Sequence, residues 1–145
     1  MKTLLAIACS SGLACGGSTT NPGPTNTNPS TQTPTSFAGS YTTRVTLTSN
    51  NCGTINVADN PTVVTHDVAS GAVTFTHAGF TYSGSVKADS TFTTTPRGVN
   101  VNDGFNYSIA IAGRFRALAL DADATVDRTG GSAACRYVVH WAGSR

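Results

Sequence analysis

The sequence predicts an all-β fold, a small antiparallel up-and-down barrel of about eight strands, with a two-sheet β-sandwich as the alternative. Thr is the commonest residue, Val, Tyr and Phe recur, and Leu is scarce, so residue types that favour strands dominate. From residue 37 onward, short segments alternate apolar and polar residues and are broken by Gly, Asn or Asp. Successive hairpins favour a meander, which loses its exposed edges most economically by closing into a barrel.

The alternation assigns one face of each strand to the core, because successive side chains of a strand point to opposite faces of the sheet. Odd-numbered residues form the apolar face over 41–47 and again over 105–111. The apolar face then changes to even-numbered residues over 118–126, which predicts a bulge or bend near 114–117. In the final strand the apolar residues are odd-numbered again, over 135–141.

Residues 1–14 have the layout of an export signal: a positive start at Lys2, a short apolar run and then small residues. The segment Leu13-Ala14-Cys15 resembles the cleavage motif of bacterial lipoprotein precursors. The resemblance implies that Cys15 is diacylated, becomes the new N-terminus and anchors the protein to a lipid bilayer. Cys9 is a competing acceptor, and a secreted form without lipid is the alternative. The apolar run is short for a signal, which a start codon further upstream would explain.

Residues 15–36 form a Thr/Asn/Pro-rich stalk, because after Cys15 they hold no charged, aromatic or large aliphatic residue that could build a core. Four prolines favour extended conformations, so the stalk is expected to act as a partly stiff spacer. Residues 37–145 then form one antiparallel β domain. This organisation predicts an exported protein at the cell envelope, on the outer membrane or the cell surface.

Composition and motifs argue against several activities. The net charge of +2 includes Lys2, and a mature chain from Cys15 has eight Lys and Arg residues against seven Asp, so nucleic acid is not an expected partner. Glu is absent, and neither a Gly-x-Ser-x-Gly elbow nor a reactive Cys beside His occurs. We therefore expect no catalytic residues, no enzymatic activity and no cofactor.

Two cysteines remain after Cys15, and in an exported chain an even remainder favours pairing. Cys52 follows the first predicted strand and Cys135 opens the last one, so a disulfide between them would join the two ends of the meander. Metal binding is not expected, because there is no close Cys pair and no spaced His pair. The three histidines lie on separate predicted strands, where we expect surface positions or local hydrogen bonds.

The outline of the domain resembles the calycin group of small barrels, such as lipocalins and avidin-like proteins. Gly39-Ser40-Tyr41 lies where lipocalins begin their first strand with Gly and an aromatic residue, although Tyr replaces the usual Trp. Small barrels of eight strands either fill their interior or keep a pocket for one small ligand. The aromatic residues that a pocket could use are Phe75, Phe80, Tyr82, Phe92, Phe105 and Tyr107.

Two functions follow from this organisation. The first is an envelope lipoprotein whose barrel binds a small apolar or glycan ligand. The second is a structural or adhesive module with a filled core, which acts through its exterior on partner proteins. An open apolar cavity would favour the first function and a solid interior the second. The sequence leaves the oligomeric state open.

Overall fold

The structure, a computed structural model, describes residues 35–131 and 133–145. The predicted signal (1–14), Cys15 and the stalk as far as residue 34 lie outside the described residues, so the predictions made for them stay predictions. No helix in the described part of the chain is long and apolar enough to cross a membrane.

The described residues form nine β-strands in one sheet. Their bounds are β1 (Gly39–Asn50), β2 (Thr62–His66), β3 (Ala72–His77), β4 (Phe80–Val86), β5 (Thr91–Thr94), β6 (Arg97–Val99), β7 (Asn106–Arg116), β8 (Ala119–Thr129) and β9 (Cys135–Ser144).

Eight of these strands close into an antiparallel barrel, as the sequence predicts. Consecutive strands pair from β1 to β5 and from β7 to β9, while the β1–β9 and β5–β7 pairings complete the ring. The short strand β6 is the ninth and pairs only with β7 among the described residues. All pairings are antiparallel, and the closed ring excludes the two-sheet sandwich.

The barrel has two different ends. We call the end where β1 begins and β9 finishes the closed end, and the end where β1 finishes and β9 begins the mouth. At the closed end, Phe115 packs against four other aromatic side chains, with centroid distances of 4.5 Å to Phe37, 4.9 Å to Phe92, 6.0 Å to Phe75 and 6.1 Å to Tyr41. All five are buried, so this end of the interior is solid.

The segment before β1 is held over the closed end by polar contacts. The Tyr41 hydroxyl donates a hydrogen bond to the Phe37 carbonyl at 2.9 Å. The guanidinium of Arg145 donates to the carbonyl oxygens of Ala38 and Ser36 and lies 5.5 Å from the centre of the Tyr41 ring. The two ends of the described domain therefore meet here, and their contacts hold the Phe37 side chain over the closed end of the barrel.

The change of apolar face after residue 113 has a different cause from the bulge or bend that the sequence predicts. Strands β7 and β8 form a hairpin, in which Arg116 pairs with Ala119 and only Ala117 and Leu118 make the turn. Ala117 has a φ of 50°, and Leu118 is 59% exposed. This register places odd residues of β7 opposite even residues of β8, so both sets face the interior.

Two glycines permit close approach of neighbouring strands. A Cβ atom at Gly84 in β4 would lie 2.1 Å from the Thr93 carbonyl oxygen, and one at Gly113 in β7 would lie 2.3 Å from the Asp121 carbonyl oxygen. Both glycines pair with residues of β5, the short strand that lies between β4 and β7 in the ring. The sheet can therefore coil tightly where the ring closes.

We predict that Ile111→Ala lowers the free energy of unfolding by about 2–5 kcal/mol, because it removes a fully enclosed side chain and leaves a cavity. Ile111 is 1% exposed, on the inward face of β7. Ser108→Ala, on the outward face of the same strand, is the control and should change stability by less than about 0.5 kcal/mol. Urea denaturation measures both, and equal small effects would contradict the assigned register.

Candidate functional site

The mouth half of the barrel contains a cavity of about 340 Å³ that is open to solvent. Its walls are inward-facing residues from both sides of the ring. Strand β9 contributes Tyr137, Val139 and Trp141; β8 contributes Ala124 and Val126; β7 contributes Tyr107 and Ile109; β1 contributes Val45; and β3 and β4 contribute His77, Phe80 and Tyr82.

The cavity lies beside two small inward side chains of β8, those of Ala124 and Val126. At the closed end the same ring of strands carries Phe75, Phe92 and Phe115, whose side chains meet in the middle. The same barrel thus has a filled half and a half whose aromatic and aliphatic side chains surround an open space.

The loop 51–61, which we call the cover loop, supplies one side of the cavity with Ile55, Asn56, Val57, Ala58 and Asn60. Both of its ends are fastened. Near its start, Cys52 forms a disulfide with Cys135 at the beginning of β9. Near its end, Asp59 accepts a hydrogen bond from the Val45 backbone N–H at 2.7 Å. The cover loop therefore lies along β1 where β2 no longer pairs with that strand.

The disulfide confirms the pairing that the sequence predicts. It joins residues 83 positions apart and lies at the mouth. The Arg128 guanidinium, on the inward face of β8, donates to the Cys52 carbonyl oxygen at 3.0 Å and covers the Phe105 ring at 4.6 Å. Arg128 of β8 thus connects the cover loop and Phe105 at the rim of the cavity.

The barrel wall is incomplete between β4 and β6. The last backbone hydrogen bond between β4 and the β5–β6 segment joins Thr95 N–H to the Ser83 carbonyl oxygen at 2.9 Å, and Pro96 follows without an N–H to donate. Beyond it, Arg97 spans the opening: its guanidinium donates to the Thr81 carbonyl and lies 5.8 Å from the Phe80 ring centre. A side chain therefore replaces the missing backbone ladder at this point.

Three buried side chains form a hydrogen-bonded row beside the cavity. The Thr43 hydroxyl donates to Thr62 Oγ1 at 2.8 Å, and Thr62 Oγ1 lies 2.8 Å from His77 Nδ1. The His77 ring stacks on Trp141 with centroids 4.1 Å apart. His77 is the one titratable nitrogen group among the lining residues.

Burial controls the ionisation of the lining groups. Desolvation lowers the pKa of His77 below its ordinary value of 6.5, so the imidazole is neutral at pH 7. Desolvation also raises the pKa values of Tyr82 and Tyr137 above 10.0, and nearby Arg97 and Arg128 only partly oppose this. No carboxylate, lysine or arginine is among the lining residues, so the described cavity wall is uncharged at neutral pH.

The structure divides the six predicted ligand-binding residues into three groups. Phe80, Tyr82 and Tyr107 line the cavity. Phe75 and Phe92 face inward but belong to the filled closed end. Phe105 precedes β7 and packs under Arg128 at the rim. Alternation identifies the inward face of a strand, whereas position along the barrel axis depends on the stagger between strands.

The site that the sequence predicts lacks His77, Tyr137, Trp141 and the cover loop. Tyr137 and Trp141 had a usable signal, because both lie on the predicted apolar face of the last strand. The cover loop had none, since Ile55 and Val57 occur in a segment without alternation. The histidines are expected either at the surface or in local hydrogen bonds. His77 agrees with the second expectation, because it is buried and its ring is hydrogen-bonded to Thr62.

The other two histidines lie away from the cavity. His66 accepts a hydrogen bond from the Phe37 N–H at 3.3 Å, at the closed end. His140 lies on the outward face of β9, where its Nδ1 is 2.9 Å from an Asp123 carboxylate oxygen. Over residues 35–131 and 133–145, no group of three His, Cys, Asp or Glu side chains could hold a metal ion.

The fold and the site together define a small closed antiparallel barrel with one filled end and one apolar cavity at its mouth. Comparison with known protein families, curated proteins and solved structures finds no match.

Removing the disulfide should lower both stability and order at the mouth. We expect the Cys52→Ser/Cys135→Ser variant to lose up to about 4–5 kcal/mol of unfolding free energy, because the bond restricts a long loop in the unfolded chain. The melting temperature should fall by roughly 10–20 °C, as measured by circular dichroism. Adding a reductant should reproduce the shift in the wild type and leave the variant unchanged. Two titratable thiols in the oxidised wild type would contradict the bond.

Proposed function

We propose that this protein is an exported binding protein of the cell envelope, whose barrel takes up one small, mainly apolar molecule and carries out no catalysis. In this proposal an acylated Cys15 anchors the chain to the bilayer and the stalk 15–36 separates the barrel from the lipid surface. The observation that carries the binding role is the apolar cavity of about 340 Å³ at the mouth.

The size of the cavity favours a small ligand. Known ligand pockets span about 300–1,000 Å³, so this one is at the lower limit. If each non-hydrogen atom of a ligand needs about the volume of one liquid water, ~30 Å³, the cavity holds about eleven such atoms. Val57 and Val101 line it while 38% and 48% exposed, so apolar surface continues to the rim. A bound apolar molecule would cover part of this surface.

The chemistry of the wall favours an apolar ligand over a glycan. A sugar ring needs a hydrogen-bond partner for most of its hydroxyl groups, since unpaired polar groups are costly to bury. Besides the tyrosines and Trp141, the polar side chains of the lining are Asn56, Asn60 and His77. The remaining lining residues are aliphatic or aromatic.

The alternative function, an adhesive module with a filled core, agrees with only half of the barrel. The closed end is solid, but the mouth half is not, although a few larger side chains would have filled it. An interior that served only to support an outer surface would gain stability from such filling. We therefore prefer the binding role.

Export is supported by two independent features. The Cys52–Cys135 disulfide is typical of proteins that mature in an oxidising compartment. The N-terminal residues have the order of an export signal followed by a spacer without core-forming residues. Neither feature distinguishes an anchored form from a secreted one, so the anchor requires its own test.

We predict that Cys15→Ser moves the exported protein from the membrane fraction to the soluble fraction, because the variant lacks the thiol that is acylated. Cys9→Ser is the matched control and should leave the protein with the membranes. Mass spectrometry of the N-terminal peptide should show that Cys15 is its first residue and carries two acyl chains. If Cys15→Ser fractionates like the wild type, the proposed anchor is wrong.

Binding can be followed through Trp141, which is the single tryptophan of the chain and lines the cavity. We expect 2-decanone, with about eleven non-hydrogen atoms, to change its fluorescence saturably, whereas glucose of similar size should not. Ala124→Phe should abolish the response, because the new ring occupies the cavity.

Ala142→Phe is the matched control, since Ala142 is exposed on the outward face of β9. This variant should respond like the wild type, and thermal unfolding would verify that both variants fold. A response that survives in Ala124→Phe, or is absent from the wild type, would reject the cavity as a binding site for such molecules.

A further inference from the structure

The hydrogen-bonded row beside the cavity has a defined direction. A threonine hydroxyl carries one hydrogen, and we assign that of Thr43 to Thr62 Oγ1 at 2.8 Å, because this acceptor is closer than the Tyr41 carbonyl at 3.3 Å. Because Thr62 Oγ1 accepts from Thr43, its own hydrogen is available for His77 Nδ1 at 2.8 Å. Nδ1 is then the acceptor, and the neutral ring carries its proton on Nε2.

The His77 ring is held in one orientation. Thr62 fixes Nδ1, and the indole of Trp141 stacks on the ring at a centroid distance of 4.1 Å and an interplanar angle of 27°. Desolvation lowers the pKa of His77, which keeps the ring neutral, so that one of its two nitrogens can accept a hydrogen bond. Thr62 and Trp141 therefore fix the position of the imidazole, and the direction of the Thr43–Thr62 hydrogen bond favours the Nε2–H tautomer.

The second ring nitrogen opens on the cavity. His77 lies on the inward face of β3 with Val73 and Phe75, and it is part of the cavity wall. Nε2 has no hydrogen-bond partner among the described residues, yet none of their fully buried side-chain nitrogen or oxygen atoms is unpaired. Nε2 is thus not fully buried, and because His77 lines the cavity we infer that Nε2 faces it.

The surroundings of Nε2 restrict what it can bind. A carboxylate in the cavity would be buried without an opposite charge, because no lysine or arginine is among the lining residues. The guanidinium groups at the margin, of Arg97 and Arg128, donate to the backbone oxygens of Thr81 and Cys52. The wall therefore offers a hydrogen-bond donor without a counter-charge for an anion.

We propose that His77 Nε2–H is a fixed donor that selects ligands with an uncharged acceptor oxygen, such as a ketone, on an otherwise apolar molecule. This inference rests on the proposed binding function of the cavity and specifies its ligand class. It distinguishes oxygenated neutral molecules from both plain hydrocarbons and fatty acids.

The test compares three probes of similar size, 2-decanone, decane and decanoate, by the fluorescence of Trp141. His77→Phe keeps an aromatic ring beside Trp141 but removes the donor. It should weaken binding of 2-decanone about three- to tenfold, the effect of losing one hydrogen bond, and leave binding of decane unchanged. His140→Phe, the same substitution on the outward face of β9, should alter neither.

A second measurement requires no ligand and no variant. Long-range ¹H–¹⁵N spectra of the wild type distinguish a histidine protonated at Nε2 from one protonated at Nδ1. We expect His77 to be the Nε2–H tautomer, and we expect added 2-decanone to shift its Nε2 resonance. An Nδ1–H tautomer would overturn the inference even if His77→Phe failed to fold.

The outcomes separate this inference from the proposed function. Equal effects of His77→Phe on 2-decanone and decane, or tighter binding of decanoate than of 2-decanone, would overturn the donor role while leaving the cavity a binding site. If none of the three probes binds to the wild type, the proposed function itself fails and the inference fails with it.

Discussion

The pairing of β1 with β9 is the contact on which the rest of the structure depends. It joins the first and last strands of the domain over eight residue pairs, from Thr42 opposite Ser144 to Asn50 opposite Tyr137. Without it, the sheet would have two open edges and its inward face would not enclose a volume. The core, the cavity and the cover loop all presuppose this closure. Contacts at both ends support it, with Arg145 over Tyr41 at the closed end and the Cys52–Cys135 bond at the mouth.

A closed barrel of this size must either be filled or hold something, and here one half does each. Phe115 and its aromatic neighbours fill the closed end. The mouth half can then keep small residues such as Ala124 without loss of the fold. On the inward face of β8, Leu120 belongs to the filled end, whereas Ala124 and Val126 line the cavity.

The mouth is also where the regular sheet gives way to irregular contacts. β2 stops pairing with β1 beyond Tyr41, and the cover loop occupies the space, held by Asp59 and the disulfide. β4 loses its backbone partner after Pro96, and Arg97 spans the opening. The first irregularity brings cover-loop side chains such as Val57 to the cavity wall, and the second leaves Arg97 at the margin of the cavity. Polar recognition in an apolar interior then rests on a few groups whose partners fix them, as Thr62 and Trp141 fix His77.

The sequence by itself determined the β class, the inward face of the long strands and the disulfide, because alternation and cysteine count are local or compositional properties. The segment 105–111 is an example of predicted alternation, since Tyr107, Ile109 and Ile111 all face inward in β7. Only the tertiary structure decided which inward residues meet. Phe75 and Tyr82 are cross-strand partners, yet Phe75 is in the filled end and Tyr82 lines the cavity. It also decided that His77 contacts Trp141, 64 positions later in the chain. Such contacts depend on the stagger of strands around the ring, which is set by closure of the whole sheet and leaves no mark in any single segment.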